Sequence, residues 1–378
     1  MRVLKFIHTA DLHLGSVFGN TPEIAGKRKA EQLDTLREIV SLCAARESDL
    51  LLICGDLFDC VRVEESLLRE VQSILGKCSA KVFITPGNHD PAVPDSCYRQ
   101  EGWPENVRIF LGGIESISLE DKGAVIWGCA FKRSIETASL LTPFTPDPSA
   151  INILMMHADL VPKSAVNDTG TGSRYNPVTE EMIYDLDIDY AALGHAHKAF
   201  TGQKGDFTYC NPGCPSGRGF DETGDKGVYA GMAGRRFSHI EFIPLNGRRY
   251  YSDKTDLSGC VVTDDFRKAI LEFLKNNYGE HFKDNIYDIT IGGALPKGVM
   301  PDISSISKLL MEDVHYVRLT DRTTTELDIA ALMKDTTLRG AFVRTVASKI
   351  EKDSGNRDKY LRALLYGLRA FDEEIKFQ

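Results

Sequence analysis

The stretch LLLICGDLFD, residues 50–59, decides the fold. Its first five residues are all apolar, a length that suits a strand covered on both faces better than a helix. A glycine ends the run, and the turn delivers Asp56 and Asp59 to the strand's C-terminal end. The same pattern recurs on either side. VLKFIHTA runs into Asp11-Leu12-His13, KVFITPG into Asn88-His89-Asp90, INILMMHA carries His157, and YAALGHAH carries His195 and His197. AVIWGCAF reads as one more buried strand. Leu33, Leu36, Ile39, Val40 and Cys43 recur at helical spacing within 28–45, as do Leu67, Leu68, Val71 and Leu75 within 64–75. Strands separated by helices predict a layered α/β sheet with helices on its faces. KGVYAGMAG and SHIEFIPL read as paired strands that close this first domain, residues 1–247.

Beyond it the composition turns polar over 246–258, which predicts a linker. A helix at 264–277, the strand-like IYDITIGG, a helix at 303–312 and the strand-like HYVRLTD predict a small α/β domain over 258–322. Residues 326–378 read as helical, with Leu361, Leu364, Leu365, Leu368 and Phe371 marking an apolar stripe.

The chain has 378 residues, 42% of them apolar and 26% charged, ordinary for a soluble globular protein with a real core. A net charge of −9 argues against a protein coated in basic surface, although bound divalent metals can reverse the sign of a site locally. No apolar run of about 18 residues occurs, so no membrane span is expected, and the opening MRVLKFIHTADLHLG is too quickly polar for a signal peptide. The nine cysteines are odd in number, irregular in spacing and free of CxxC, which predicts reduced thiols in a cytoplasmic protein.

Any one ligand fragment is weak, since a solitary histidine is more often a hydrogen-bonded core residue. Five of the nine histidines, however, fall within these strand-end fragments. Alternation along a strand would put Asp11 with His13, and His195 with His197, on one face. Aspartate, asparagine and imidazole without thiolate suit manganese, iron or zinc in an open catalytic site. Asp11, His13, Asp56, Asn88, His157, His195 and His197 are too many for one tetrahedral zinc, and suffice for two ions sharing a bridging carboxylate.

In their order, DxH, GDxxD, GNHD, a lone histidine and GHxH resemble the calcineurin-like metallophosphoesterase superfamily over roughly residues 1–245. HTADLHLG, GDLFD and GNHDP further resemble its SbcD-type DNA-repair exonucleases, bacterial relatives of the meiotic recombination nuclease. YCNPGCPSGRGFDETGDKG resembles that subgroup's YxGSPxxRxFxE…KG segment, departing from it at Asn211 and Cys214. The resemblance implies a layered metallophosphoesterase β-sandwich flanked by helices, with a small α/β cap domain and a C-terminal helical segment. It implies a first metal held by Asp11, His13, Asp56 and His197, and a second held by Asp56, Asn88, His157 and His195. The ions would be manganese, with iron or zinc as alternatives. His89 matches the catalytic histidine that assists the leaving oxygen, and Asp59 the residue that orients it in many relatives.

The function implied is a manganese-dependent DNA nuclease acting in repair with an SbcC- or Rad-fifty-like ATPase, which the helical tail 326–378 would grip. An intramolecular packing helix would show the same stripe. Relatives are often dimers, so a homodimer is an open alternative. The segment 163–177 could carry substrate contacts, with Arg174 and Tyr175 as candidates, or be an ordinary solvated loop. Arg218 could contact a phosphate or form a salt bridge, and His8 reads as a core histidine. Two other functions compete: hydrolysis of a small phosphodiester or phosphomonoester, which the acidic charge favours, and a non-catalytic scaffold. Phosphoprotein is disfavoured, because Cys60-Val61 stands where protein phosphatases carry Arg-Gly.

Overall fold

A computed structural model describes residues 2–165, 172–326 and 328–372. The chain divides into two compact units. The first comprises Met1–Asp253, Glu280–Asp288 and Met311–Arg318, and the second Lys254–Gly279, Ile289–Leu310 and Leu319–Gln378.

Alternating strands and helices open the first unit: β1 (Leu4–Thr9), α1 (Ala25–Ala45), β2 (Leu50–Cys54), α2 (Glu65–Gly76), β3 (Lys81–Thr85) and β4 (Val107–Ile109). Then follow β5 (Glu115–Leu119), β6 (Ala124–Gly128), β7 (Ile151–His157), the short β8 (Asp159–Leu160) and β9 (Pro177–Val178), α3 (Glu180–Tyr184), β10 (Tyr190–Gly194), β11 (Phe200–Lys204) and β12 (Phe207–Asn211). The hairpin of β13 (Gly227–Gly234) and β14 (Phe237–Pro244) closes the run. These strands build two six-stranded sheets, ordered β14-β13-β1-β2-β3-β4 and β11-β12-β10-β7-β6-β5.

Side-chain alternation along β2 shows how the layers are held. Leu50 and Leu52 join Phe6, Phe83, Ile126, Ile153, Met155 and Tyr190 in the core between the sheets. Leu51 and Ile53, on the opposite face, pack with Leu36, Ile39 and Cys43 of α1 and Leu68, Val71 and Leu75 of α2. A strand buried on both faces has no polar side, which is why residues 50–54 are continuously apolar. The second sheet is covered likewise, with Leu154, Met156, Ala191 and Leu193 packed against Ile183 of α3.

Within the first sheet β1, β2 and β3 are mutually parallel, and within the second so are β7 and β10. Parallel strands end at the same edge, where α/β sheets bind ligands. Every ligand fragment of the sequence follows or ends one of these five strands.

The predicted linker at 246–258 is instead largely strand. β15 (Tyr250–Asp256), β16 (Ile286–Gly292) and β18 (Tyr316–Asp321) pair in that order as a three-stranded sheet, and each has residues in both units. Tyr-Tyr-Ser-Asp-Lys-Thr-Asp has no apolar run to signal a strand, so its pairing partners decide its conformation. In the second unit stand α4 (Thr263–Tyr278), β17 (Ala294–Leu295), α5 (Ile303–Leu310), β19 (Thr324–Thr325), α6 (Ile329–Lys334), α7 (Leu338–Lys352) and α8 (Arg357–Asp372). Leu364 and Leu368 of α8 are buried against Val343 and Val346 of α7. Leu365, Tyr366 and Phe371 stay exposed on the same helix. No helix among the described residues is long and apolar enough to cross a membrane.

Candidate metal centre

Two loops form the floor of the site. After β1 and β2, Asp11 N donates to Gly55 O, His13 N to Asp56 O and Leu14 N to Leu57 O, so the Asp-Leu-His and Gly-Asp-Leu-Phe-Asp segments lie side by side. Asp11, His13, Asp56 and His195 all adopt left-handed backbone, with φ of 53°, 46°, 49° and 101°. Non-glycine residues rarely occupy this region, and its concentration here marks a functional site. The proximity of Asp11 and His13 therefore comes from this loop and not from strand alternation, since β1 ends at Thr9. His195 and His197 diverge for the same reason and serve different clusters. Two glycines are required by close approach. A Cβ on Gly55 would stand 2.1 Å from the His157 ring, and one on Gly87 would stand 2.2 Å from Asp56 Oδ1.

The first cluster gathers Asp11, His13, Asp56 and His197. Nε2 of His13 lies 3.2 Å from Nε2 of His197, 3.6 Å from Asp56 Oδ2 and 4.0 Å from Asp11 Oδ1. Nε2 of His197 lies 3.8 Å from the same Asp11 oxygen. The second gathers Asp56, Asn88, His157 and His195. Asn88 Oδ1 is 3.0 Å from His157 Nε2 and 3.1 Å from His195 Nδ1, and His157 Nε2 is 3.4 Å from Asp56 Oδ2. One oxygen of Asp56 thus faces both clusters.

The donor chemistry fits cations at both places. Nδ1 of His13 faces the Asp59 carboxylate at 3.0 Å, and Nδ1 of His197 faces Glu222 at 2.8 Å. A carboxylate facing Nδ1 favours the tautomer protonated there, which turns the two Nε2 lone pairs towards each other; Nδ1 of His197 also has Arg218 Nη2 at 3.1 Å. His157 donates from Nδ1 to Cys54 O, and its Nε2 faces the oxygens of both Asn88 and Asp56. Asp11 Oδ1 is buried with no hydrogen-bond partner. Lone pairs that converge on one point need a cation, and separations near 3 Å are those of adjacent ligands on an ion with bonds of about 2.0–2.2 Å.

Charge completes the picture. Burial pushes the Asp11 carboxyl up to about 7 and holds the His13 and His195 rings neutral, with pKa values near 4 and 3. Neutral imidazole is the form that ligates metal. Burial also opposes ionisation of Asp56, yet His157 and His13 outweigh it and hold this carboxyl below the usual range. Burial disfavours charge on His157 too, but Asp56 and Asp11 lift its ring to about 9. Positive charge is what this pocket of buried anions lacks.

A family model described as calcineurin-like phosphoesterase matches residues 4–199, more than half of the chain. The chain belongs to the calcineurin-like phosphoesterase family. The family typically binds two divalent ions and acts on phosphoesters, and this chain carries candidate ligand clusters for that chemistry. Among its relatives, a protein named uncharacterized metallophosphoesterase YhaO, from Bacillus subtilis (strain 168), is 30% identical over 240 residues. The match covers 60% of this chain and 56% of that protein, so the chain spans just over half of its relative's length. Among solved structures, TT1561 of Thermus thermophilus and a dimetal phosphatase from Danio rerio each cover 64% of this chain and 99% of their own. Both have a TM-score of 0.40, at 10% and 12% identity respectively.

The remaining sequence candidates take definite places in this member of the family. His89 is exposed at the mouth, edge-on to the His13 ring at 4.7 Å between centroids. The Asp59 carboxylate is 3.7 Å from His89 Nδ1 and closer to His13, while Asp59's backbone oxygen is 3.3 Å from His89 Nδ1. Tyr175 lays its ring 5.0 Å from that of His195, and Arg174 beside it is exposed. Of the loop 163–177 that carries them, residues 166–171 lie outside the described residues. Arg218 is ion-paired with Asp59 and Glu222. His8 is fully buried, donating from Nε2 to Leu193 O.

Two residues went unrecognised in the sequence. Glu222 orients His197; it stands at the glutamate of the RxFxE pattern, a match that carried no role for it. Asp90 accepts from the backbone N–H of Phe58 and of Gly87, tying the loops after β2 and β3 together. Its place directly after His89 hid it behind its neighbour.

Proposed function

We propose that the chain is a metal-dependent phosphodiesterase whose substrate is DNA, with His89 assisting the leaving group and manganese the working ion. Two adjacent divalent ions would neutralise a phosphodiester and bring the pKa of water towards about 7. In this reading His89, exposed beside the first cluster, gives a proton to the departing sugar oxygen. One observation carries the choice of an extended polyanion over a small ester. Three loops at the ligand edge carry exposed cations next to groups that touch the ligands. Lys132 follows Phe131, whose ring is edge-on to His157; Arg174 precedes Tyr175, which packs on His195; Lys198 follows His197 itself. None of the three cations has an ion pair among the described residues. Unpaired cations flanking a catalytic centre serve successive phosphates of a strand, and an aromatic face serves a base.

The deciding experiment incubates the protein with manganese and, separately, single-stranded DNA, duplex DNA with free ends and bis-p-nitrophenyl phosphate. DNA cleavage is the expected result. Hydrolysis of the small diester with DNA left intact overturns the nuclease reading in favour of a small phosphoester. No hydrolysis with manganese, iron or zinc makes the chain a scaffold. For a partner we propose an SbcC- or Rad-fifty-like ATPase, supported by the exposed Leu365, Tyr366 and Phe371 on α8. Co-purification that survives charge substitution at all three removes that part of the proposal.

A further inference from the structure

Metal-ligating histidines depend on what holds their second ring nitrogen. Here the holders differ between the two clusters. In the second, His157 donates from Nδ1 to the backbone oxygen of Cys54. In the first, both histidines lean on carboxylates, and one guanidinium holds both carboxylates. Arg218 Nη1 donates to Asp59 Oδ1 at 3.2 Å, and that oxygen lies 3.0 Å from His13 Nδ1. The other arm, Nη2, donates to Glu222 Oε1 at 2.7 Å, and that oxygen lies 2.8 Å from His197 Nδ1. Arg218's own backbone N–H donates to the second Glu222 oxygen at 2.7 Å.

The loop bearing this clamp is itself fastened. Arg28 of α1, fully buried, donates from Nη2 to Ser216 Oγ at 3.0 Å and to Gly217 O at 2.9 Å, immediately before Arg218. Its guanidinium sits against the Phe18 and Tyr250 rings, 5.5 and 5.6 Å from their centroids. The Cys214 thiol lies 3.5 Å from Glu222 Oε2. No hydrogen bond or ion pair of Arg218 or Glu222 reaches Asn88, His157 or His195 among the described residues.

We infer that Arg218 and Glu222 are positioning residues dedicated to one of the two cation sites, the one formed by Asp11, His13, Asp56 and His197. They fix both imidazoles of that site with Nε2 turned inward. The requirement is for arginine, because only a planar fork can hold two carboxylates at a set angle; an ammonium on a flexible stem cannot. The inference rests on the two-cation reading of the site. It goes beyond that reading by making occupancy of the two sites separable by substitutions that leave every ligand residue in place.

The test measures manganese uptake by the full chain, using calorimetry for stoichiometry and affinity and electron paramagnetic resonance for the spacing of the ions. Three proteins are compared: the parent, Glu222→Gln and Arg218→Lys. The parent is expected to bind two ions and give the spectrum of a coupled pair. Each variant is expected to keep one ion at parental affinity, to bind the other roughly 10- to 100-fold more weakly, and to give the spectrum of an isolated ion at sub-saturating manganese. Circular dichroism establishes that each is folded, and if Glu222→Gln is not, Arg218→Lys decides. Two ions at parental affinity in the folded variants overturn the inference, as does equal weakening of both sites. A parent that binds fewer than two ions is a different failure: it removes the two-cation reading, and the clamp falls with it.

Discussion

Oδ2 of Asp56 stands 3.4 Å from Nε2 of His157 while remaining 3.6 Å from Nε2 of His13. A single oxygen therefore belongs to both ligand clusters, and its left-handed backbone is fixed by the loop that also receives His13. Asp56→Asn is expected to weaken uptake of both ions and to lower hydrolysis on the order of 1,000-fold, since loss of several kcal/mol of cation stabilisation costs a factor of ten for each 1.4 kcal/mol. Calorimetry with manganese, alongside rates on a chromogenic diester, checks both halves. Two intact sites in the variant would refute the bridge.

His89 is exposed, its ring edge-on to that of His13, and its backbone N–H donates to Asp56 Oδ1 at 2.9 Å. His89→Ala is expected to keep both ions and to lose roughly 100- to 10,000-fold in turnover, the range of general acid catalysis. A parental rate in the metal-loaded variant would remove His89 from the reaction.

Gly87 precedes Asn88, and any side chain there collides with the bridging carboxylate 2.2 Å away. Gly87→Ala is expected to displace Asp56, costing about 1–3 kcal/mol of stability together with most of the manganese affinity. Thermal melts with and without manganese measure the two effects. A variant still stabilised by manganese as the parent is would show that Asp56 can move without penalty.

His8 joins the two sheets from inside their shared core. Its Nε2 donates to Leu193 O, its Nδ1 accepts from Tyr190 Oη at 2.9 Å, and burial drives its pKa down to about 3. The folded value lies below the unfolded value of 6.5, so the unfolded chain binds the extra proton between those limits. Stability from this residue is full above pH 6.5 and is lost as pH falls towards 3. Between about pH 7 and 5 the loss is about 2 kcal/mol. In chelator, where metal release plays no part, His8→Gln is expected to show a pH slope shallower by that amount in urea unfolding. Coincident slopes would mean that His8 is protonated within the fold.

Much was legible in the sequence because some signals are local. A strand covered on both faces must be apolar at every position, so residues 50–54, 151–156 and 190–193 announced themselves, as did the helices whose stripes face the first sheet. The seven ligand types were legible because each follows directly on such a strand. β15 was not, since its polar residues become a strand only beside β16. Nor was the stripe on α8 decisive: Leu364 and Leu368 pack on α7 while Leu365 remains exposed, and a repeat of apolar residues does not name its partner.

By itself, then, the sequence determined the layered α/β core and pointed to the candidate ligand side chains, because burial and strand-end placement act within a few consecutive residues. The family resemblance implied which ligand joins which cluster and that Asp56 serves both; only the tertiary structure decided the distances between these groups and that Glu222, Arg218 and Asp90 stand behind them. Those relationships join atoms from loops as much as 186 residues apart, as between Asp11 and His197. They depend on left-handed turns and parallel strand ends that bring the loops to one edge, and no local pattern records such a meeting.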